Sequence, residues 1–222
     1  GMDNAGWPTQ PASQKNRLPE TRMSAPIDFY FDFSSPYGYL AAEKIDALAA
    51  AHGRSVLWHP ILLGVTFKAT GLAPLPAIPL KGEYSLRDIA RSARFLGVPY
   101  RKPTVFPIPT QHAARAFLWL NDRDPQQARA FGLAAYRAYF TEDVNISDLG
   151  AVLEIAAAQG VDRDELSAVL AGAEIKARLV AEVELAMARG VFGSPFIIVD
   201  GEPFWGADRL PQVERWLAES GF

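Results

Sequence analysis

The sequence predicts an α/β fold in which a small β-sheet is interrupted by a long block of helices. Residues 27–33 alternate Ile and Phe with Asp and Tyr, the period of a strand with one buried face. That period returns only at residues 196–199, and residues from about 110 to 189 follow helical spacing. The order strand–helix–strand, helical block, hairpin and helix predicts an α/β domain with an all-helical insertion.

The composition is that of an ordinary globular protein. The 222 residues are 49% apolar and 21% charged, with a formal net charge of −3 and no cysteine. This charge gives no electrostatic footprint for nucleic acid, and no apolar run approaches the roughly 20 residues that span a bilayer. We therefore expect neither a nucleic-acid nor a membrane partner, and no disulfide exchange by the chain itself.

The first 26 residues differ from the rest. Four prolines lie among Ser, Thr, Gln and Asn without periodicity, which predicts a disordered tail over residues 1–26. The segment lacks the unbroken apolar core of a secretory signal, so we expect a cytoplasmic protein. Gly1 resembles an expression remnant, and Met23 is a candidate natural start.

The first part of the chain predicts a strand–helix–strand unit. Ser35 is placed to cap a helix that Pro36 begins and that ends near Gly53. Residues 55–58 predict a second strand, parallel to the first. Prolines make residues 64–109 a predicted loop region, with one short helix at about 86–95.

Capping residues mark the helical block. Helices are predicted to begin at Thr110, at Asp124 and at Ser147, and to cover residues 162–170 and 173–189. Asp200-Gly201 predicts a hairpin turn between strands 196–199 and 203–205, and Asp208 begins the last helix. The α/β domain is thus predicted over residues 27–68 and 190–222, and the insertion over residues 69–189.

Two short segments are candidate sites. Ser34-Ser35-Pro36 places hydroxyls at a helix N-terminus, where unpaired backbone N–H groups favour an anion. A proline at the start of a strand, as in Ser194-Pro195, often follows a cis peptide bond. The exposed backbone of Ser194 would then be able to pair with a bound peptide, although an ordinary turn proline is the alternative.

These segments belong to a longer set of motifs. The set comprises Asp28-Phe-Tyr-Phe-Asp-Phe33 with Ser35-Pro36, Pro60-Ile-Leu-Leu-Gly64 with Phe67-Lys-Ala-Thr-Gly71, Gly190-Val-Phe-Gly193 with Pro195, and Phe204-Trp-Gly206 with Asp208-Arg209. Over residues 27–222 the sequence resembles the 2-hydroxychromene-2-carboxylate isomerases. These belong to the thioredoxin-like, DsbA-like group that also contains the kappa-class glutathione transferases, and the Phe-Trp-Gly-x-Asp-Arg ending favours the isomerase branch.

The resemblance implies glutathione as cofactor and Ser35 as the catalytic residue. The Ser35 hydroxyl, immediately before Pro36, would donate a hydrogen bond to the glutathione sulfur and hold it as the nucleophilic thiolate. Ser34 is the alternative, which we rank as a capping residue.

Five further positions match the rest of the glutathione site. Lys81 would bind the glycine carboxylate, although a solvated loop lysine is the alternative. Ser194 and Pro195 match the turn that pairs with the cysteinyl amide. Asp208 and Arg209 match positions at the γ-glutamyl end, where an aspartate can bind the ammonium group. Helix capping is the alternative for Asp208.

The substrate implied by the resemblance is a small aromatic compound. We assign Tyr37 and Leu72 to its pocket. Leu72 departs from the family, which typically carries asparagine there, and a leucine side chain can neither donate nor accept a hydrogen bond. The resemblance also implies a homodimer.

Other polar and aromatic residues are assigned structural roles. The three histidines lack metal-ligand spacing, so we expect no metal site. Tyr136 and its aromatic neighbours on the insertion helices are expected in the core. Asp28 and Asp32 alternate on the first strand without an acid/base partner, which favours structural roles for both.

The sequence therefore predicts a glutathione-dependent isomerase of an aromatic-ring-cleavage product. A kappa-like transferase that consumes glutathione is one alternative. A thioredoxin-like binding module without catalytic activity is the other.

Overall fold

A four-stranded mixed sheet forms the centre of the molecule. A computed structural model describes residues 25–222. The strands are β1 Ile27–Phe31, β2 Val56–Pro60, β3 Phe196–Val199 and β4 Glu202–Trp205. Their order in the sheet is β2-β1-β3-β4, with β1 parallel to β2 and antiparallel to β3, and β3 antiparallel to β4. The predicted parallel unit and terminal hairpin are both present.

Ten helices surround this sheet within the described residues. They are α1 Pro36–Ala42, α2 Ile45–Ala50, α3 Leu63–Thr70, α4 Lys81–Leu96, α5 Gln111–Arg123, α6 Pro125–Glu142, α7 Leu149–Ala158, α8 Arg163–Ala171, α9 Ala173–Ala188 and α10 Leu210–Glu219. Short 3₁₀ turns cover Leu75–Ala77 and Ala207–Arg209. Helices α3 to α9 all lie between β2 and β3 in the chain, while the exact division at residues 69 and 189 stays a prediction.

Both faces of the sheet are covered. On one face Ile27, Phe29 and Phe31 are fully buried in a cluster that includes Phe117 and Tyr136 of the insertion helices. The other face of β1 and β3 packs against the end of α9 in a smaller cluster. Each buried phenylalanine contributes about 1.5–3 kcal/mol, so the helical block and the sheet stabilise one another.

The predicted loop over residues 64–109 is wrong in two places. Helix α3 occupies its first part, although Gly64 and two threonines give it low intrinsic propensity. Helix α4 begins at Lys81, five residues before the predicted start at 86. Its first turn lies against the preceding 3₁₀ turn so closely that a Cβ on Gly82 would come within 2.8 Å of the Pro76 carbonyl oxygen.

Several predicted helix starts and ends also shift. The single helix predicted from Pro36 to Gly53 is broken into α1 and α2, and at the break Glu43 accepts hydrogen bonds from Arg137 at 2.6 and 2.8 Å. Asp148, not Ser147, caps α7 through a 3.0 Å bond from the Ala151 amide. The last helix begins at Leu210 because residues 207–209 form a 3₁₀ turn.

Residues 1–24 lie outside the described part of the chain. The predictions of a disordered tail and of a start at Met23 therefore fall almost wholly outside the structure. Among residues 25–222, no helix is long and apolar enough to cross a membrane.

Candidate functional site

Ser35 lies at the junction between the sheet and α1. It is the N-cap of α1, with an extended backbone, and Pro36 is the first helical residue, as predicted. The Ser35 Oγ accepts a hydrogen bond from the Gly38 amide at 3.0 Å and donates one to the Ser194 carbonyl at 3.0 Å. Only 5% of Ser35 is exposed. The hydroxyl thus joins the helix N-terminus to the turn before β3.

The second candidate segment faces Ser35 directly. The Ser194–Pro195 peptide is cis, as the sequence indicates. The Ser194 Oγ accepts from the Asp32 amide at 2.9 Å, and the Pro195 carbonyl accepts from the Gly206 amide at 3.0 Å. The two motifs, 159 residues apart in sequence, therefore form one site.

Gly38 permits this close approach. A Cβ at residue 38 would lie 2.7 Å from the Ser194 Oγ and 2.8 Å from the Tyr136 hydroxyl oxygen. Real Cβ atoms essentially never come so close, so any larger residue here would displace the Ser194 or Tyr136 side chain, and glycine lets the cis-proline turn reach the helix. Sequence reasoning missed Gly38, because nothing local marks a glycine near a helix start as a packing requirement.

Asp32, for which the sequence favours a structural role, also lies within the site. It is 4% exposed and lies directly beneath the Ser34–Ser35 loop. Burial raises the pKa of its carboxyl, while hydrogen bonds from Leu63, Ser34 and Thr110 act in the opposite direction. The alternation along residues 27–33 places Asp32 opposite to the phenylalanine face and does not indicate its burial or its partners.

Tyr37 follows Ser35 by two residues and is held from α4. Its hydroxyl donates to Asp88 at 2.7 Å, and Asp88 in turn accepts from Arg91 at 2.8 Å. Burial and the neighbouring Asp88 carboxylate together raise the pKa of the Tyr37 phenol well above its usual range. Burial alone would raise the pKa of Asp88, but the bonds from Tyr37 and Arg91 outweigh it and lower that pKa. No local pattern in the sequence marks Asp88 beyond its place on a predicted helix.

Lys81 and Leu72 lie on the segment that contains α3 and α4. Lys81 is the first residue of α4, seven residues before Asp88 and thus on the same helix face. It is exposed, and its side chain has no ion-pair or hydrogen-bond partner among residues 25–222. Leu72 is 51% exposed and follows Gly71, which ends α3 in the left-handed conformation.

Asp208 and Arg209 are adjacent in sequence but have different surroundings. Both are exposed in the 3₁₀ turn that packs against α1. Asp208 is close enough to Tyr37 to contribute to the raised pKa of that phenol. Arg209 instead lines a cleft of about 260 Å³ between β4 and α10, beside Trp205 and Trp216. The structure therefore brings Ser35, Ser194 and Pro195 into contact and places Tyr37 and Asp208 alongside them.

The arrangement favours hydrogen-bond donation over covalent chemistry by the chain. No side chain within bonding distance of Ser35 is a base able to take its proton, since its Oγ contacts a backbone amide and a backbone carbonyl. Because α1 has only seven residues, the local donors matter more than a long helix dipole. Within residues 25–222, no three His, Asp or Glu side chains are grouped as metal ligands.

A serine before a short helix, opposite a cis-proline on a mixed four-stranded sheet, defines a thioredoxin-like protein without its redox cysteine. The chain belongs to the family described as DSBA-like thioredoxin domain, whose model matches residues 26–218. The predicted fold class is confirmed.

Relatives of two enzyme kinds are similar to this chain. It is 31% identical over 200 residues to 2-hydroxychromene-2-carboxylate isomerase of Sphingobium xenophagum, covering 89% of this chain and 100% of that protein. It is 29% identical over 206 residues to glutathione s-transferase kappa 2 of Caenorhabditis elegans, covering 87% and 92%. A solved structure of selenomethionine 2-hydroxychromene-2-carboxylate isomerase has a TM-score of 0.80 at 26% identity, covering 87% of this chain and 95% of the other. The resemblance predicted from the motifs is confirmed.

Proposed function

We propose that the protein is a glutathione-dependent isomerase of a small aromatic-ring-cleavage product, of the 2-hydroxychromene-2-carboxylate type. One observation carries the proposal: the Ser35 hydroxyl lies at a helix start against a cis-proline turn, in a chain without cysteine. Such a site has a donor for a sulfur but no sulfur of its own. The names of the similar isomerases and kappa-class transferases support this choice.

The residues present fit glutathione. Lys81 and Asp208 are exposed and carry no ion-pair partner among the described residues, so each is available to an oppositely charged end of the tripeptide. Ser194 and Pro195 present the turn for the cysteinyl amide, and Arg209 would reach the γ-glutamyl end only by leaving the β4–α10 cleft. When bound, glutathione would supply the thiolate that adds to a conjugated double bond and is later eliminated unchanged.

Ser35 would stabilise that thiolate by donation. Its hydroxyl hydrogen would turn from the Ser194 carbonyl to the sulfur, while the Gly38 amide continues to donate to its Oγ. The amide polarises the hydroxyl and makes it a stronger donor. Tyr37, fixed by Asp88, and the apolar Leu72 would orient the aromatic substrate against the sulfur, where alignment is worth most to the rate.

The test is a glutathione-dependence assay on 2-hydroxychromene-2-carboxylate. We expect turnover that requires glutathione and leaves its concentration unchanged. Accumulation of a conjugate would support the kappa-like transferase instead. Failure to bind glutathione at millimolar concentration would leave the non-catalytic binding module as the better account.

Two properties of the whole protein belong to the same proposal. We expect a homodimer, which sedimentation equilibrium would measure directly. We also expect a cytoplasmic location, where reduced glutathione is supplied, and fractionation of cells that express the protein would check it.

A further inference from the structure

We propose that Asp32 is the positioning residue of the Ser35 site. It links the loop before Ser35, the cis-proline turn and the starts of α3 and α5, so that removing its carboxylate disorganises the sulfur site without touching the sulfur. The inference rests on the proposed function, because it states how the site of that function is held in shape.

The backbone of Asp32 carries the first set of links. Its amide donates to the Ser194 Oγ at 2.9 Å. Its carbonyl accepts from the Ser35 amide at 3.0 Å and from the buried Tyr136 hydroxyl at 2.7 Å. The residue that follows β1 therefore fixes the catalytic loop against both the cis-proline turn and helix α6.

The carboxylate carries the second set. Its Oδ1 accepts from the Ser34 amide at 2.8 Å and from the Thr110 hydroxyl at 2.7 Å, and its Oδ2 accepts from the Leu63 amide at 2.7 Å. Thr110 is the N-cap residue of α5, yet its side chain makes no capping bond. Its hydroxyl instead donates to Asp32, so the start of α5 is tied to this carboxylate.

All three partners donate, so the site requires a side chain that only accepts. An asparagine has one accepting oxygen and one donating nitrogen. If its nitrogen replaces Oδ2, it faces the Leu63 N–H; if it replaces Oδ1, it faces the Ser34 N–H. In either orientation one buried backbone donor loses its acceptor, which costs more than a hydrogen bond between exposed groups.

Each orientation displaces a segment of the proposed site. Loss of the Ser34 bond frees the loop that holds Ser35. Loss of the Leu63 bond frees the start of α3, which leads through Gly71 to Leu72. Asp32 would thus position both the residue that binds the sulfur and a residue of the substrate pocket, without contacting the sulfur or the substrate itself.

The experiment compares Asp32→Asn with Asp28→Asn. Asp28 lies on the same face of β1, but its carboxylate binds His59 and Arg189, away from Ser35. We expect Asp32→Asn to raise the dissociation constant of glutathione about ten-fold, because an unsatisfied buried donor has an effect of this size. The thiol pKa of bound glutathione should also rise, by less than the lost Ser35 geometry alone would cause, since removal of the carboxylate charge acts in the opposite direction. Asp28→Asn should change the dissociation constant by less than about two-fold and the thiol pKa by less than about 0.2 unit.

The expected results differ from those of a purely structural residue. A structural role would lower the free energy of unfolding but leave the thiol pKa of the folded complex unchanged, and that result would overturn the proposal. If Asp32→Asn does not fold, Thr110→Val removes one donor without creating a clash and should raise the dissociation constant about three-fold. An unchanged dissociation constant in Thr110→Val would then overturn it.

A measurement without glutathione separates this inference from the proposed function. Amide hydrogen exchange of the ligand-free proteins should show faster exchange at Ser34 or Leu63 in Asp32→Asn than in the wild type. Wild-type protein that fails to bind glutathione contradicts the proposed function alone. Unchanged exchange at both amides contradicts the positioning role of Asp32, whatever the ligand.

Discussion

At the scale of single residues, Ser35 is a hydrogen-bond donor whose present acceptor is a backbone carbonyl. It has no neighbouring base within bonding distance, and its Oγ is itself polarised by the Gly38 amide. These contacts suit the stabilisation of an anion brought by a ligand more than nucleophilic attack by serine.

Ser35→Ala should therefore raise the thiol pKa of bound glutathione by about one unit or more, since a hydrogen bond to a charged group contributes about 1.5–3 kcal/mol. The thiolate absorbance of the complex as a function of pH measures this. Ser34→Ala is the matched control, because the Ser34 side chain faces the Asp32 carboxylate and makes no bond with the Ser35 hydroxyl, so we expect a smaller shift. Equal effects of the two substitutions would contradict the role of Ser35.

Tyr37 offers a second prediction at this scale. Its hydroxyl is fixed by Asp88, so Tyr37→Phe should lower kcat/KM for the aromatic substrate about ten-fold through loss of that orientation, with glutathione affinity unchanged. Tyr84→Phe is the control, because the Tyr84 hydroxyl lies 3.4 Å from Asp88 on an exposed side chain. A fall in glutathione affinity instead of substrate turnover would place Tyr37 in the glutathione site.

At the scale of secondary-structure elements, the contact between α1 and the cis-proline turn limits what α1 can contain. Gly38→Ala would force a Cβ into the space of the Ser194 Oγ and the Tyr136 hydroxyl. We expect a loss of about 1–3 kcal/mol in the free energy of unfolding, as for other overpacked sites, measured by urea denaturation.

Gly64→Ala is the matched control for this substitution. Gly64 also lies near a helix start, but nothing lies within 4 Å of its missing Cβ. It should stabilise the protein by about 0.5–1 kcal/mol through helix propensity. If Gly38→Ala is as stable as Gly64→Ala, the packing argument for α1 is wrong.

Helix α3 was not predicted because its start is determined by a distant residue. Helix α3 has weak propensity and no local cap, and its first amide is satisfied by Asp32, about thirty residues earlier in the chain. Thr110 marks the start of α5 correctly, but its hydroxyl bonds to Asp32 instead of capping. Helix α6, by contrast, was predicted at both its cap and its first residue because Asp124 and Pro125 act locally.

The candidate site shows the same division. The helix cap at Ser35 and the cis peptide at Ser194-Pro195 were predicted because each depends on residues that are adjacent in the sequence. Gly38 and Asp88 were not, because their importance arises from contacts across 156 and 51 residues of sequence (194 − 38 and 88 − 37). The functional roles of all the candidate residues stay predictions, and Lys81, Leu72, Asp208 and Arg209 were named from the resemblance alone, without a local pattern.

At the scale of the whole molecule, a polar cluster joins the outer face of the sheet to the end of the helical block. Asp28 on β1 binds His59 on β2 at 2.7 Å and Arg189 after α9 at 3.1 Å. Burial alone would raise the pKa of Asp28, but hydrogen bonds from His59 and Arg189 outweigh it and lower that pKa below 3.8.

This lowered pKa predicts how stability depends on pH. Because the folded value lies below the unfolded one, the contribution of Asp28 is fully present above pH 3.8 and is lost as the pH falls through the lowered value. Asp28→Asn should reduce the free energy of unfolding by about 1 kcal/mol at pH 6, a small value because solvent screens these partly exposed ion pairs. The reduction should become progressively smaller towards pH 3.

Urea denaturation at several pH values measures the difference. The exposed Asp164, which makes no side-chain hydrogen bond within residues 25–222, provides the control substitution Asp164→Asn. A pH-independent difference for Asp28→Asn would mean that the ion pairs do not determine its pKa.

The bond between the Ser35 hydroxyl and the Ser194 carbonyl affects the free energy of ligand binding. The donor and the acceptor that would serve glutathione are hydrogen-bonded to one another, so neither is an unsatisfied buried polar group. Under the proposed function, docking is an exchange of partners: the cysteinyl amide takes the Ser194 carbonyl as the sulfur takes the Ser35 hydroxyl. Such an exchange conserves the number of hydrogen bonds, so the gain at the middle of the tripeptide is the difference between a bond to a neutral carbonyl and a bond to a thiolate. The centre would then favour the ionised thiol over other groups, while the charged ends add their own contribution to affinity.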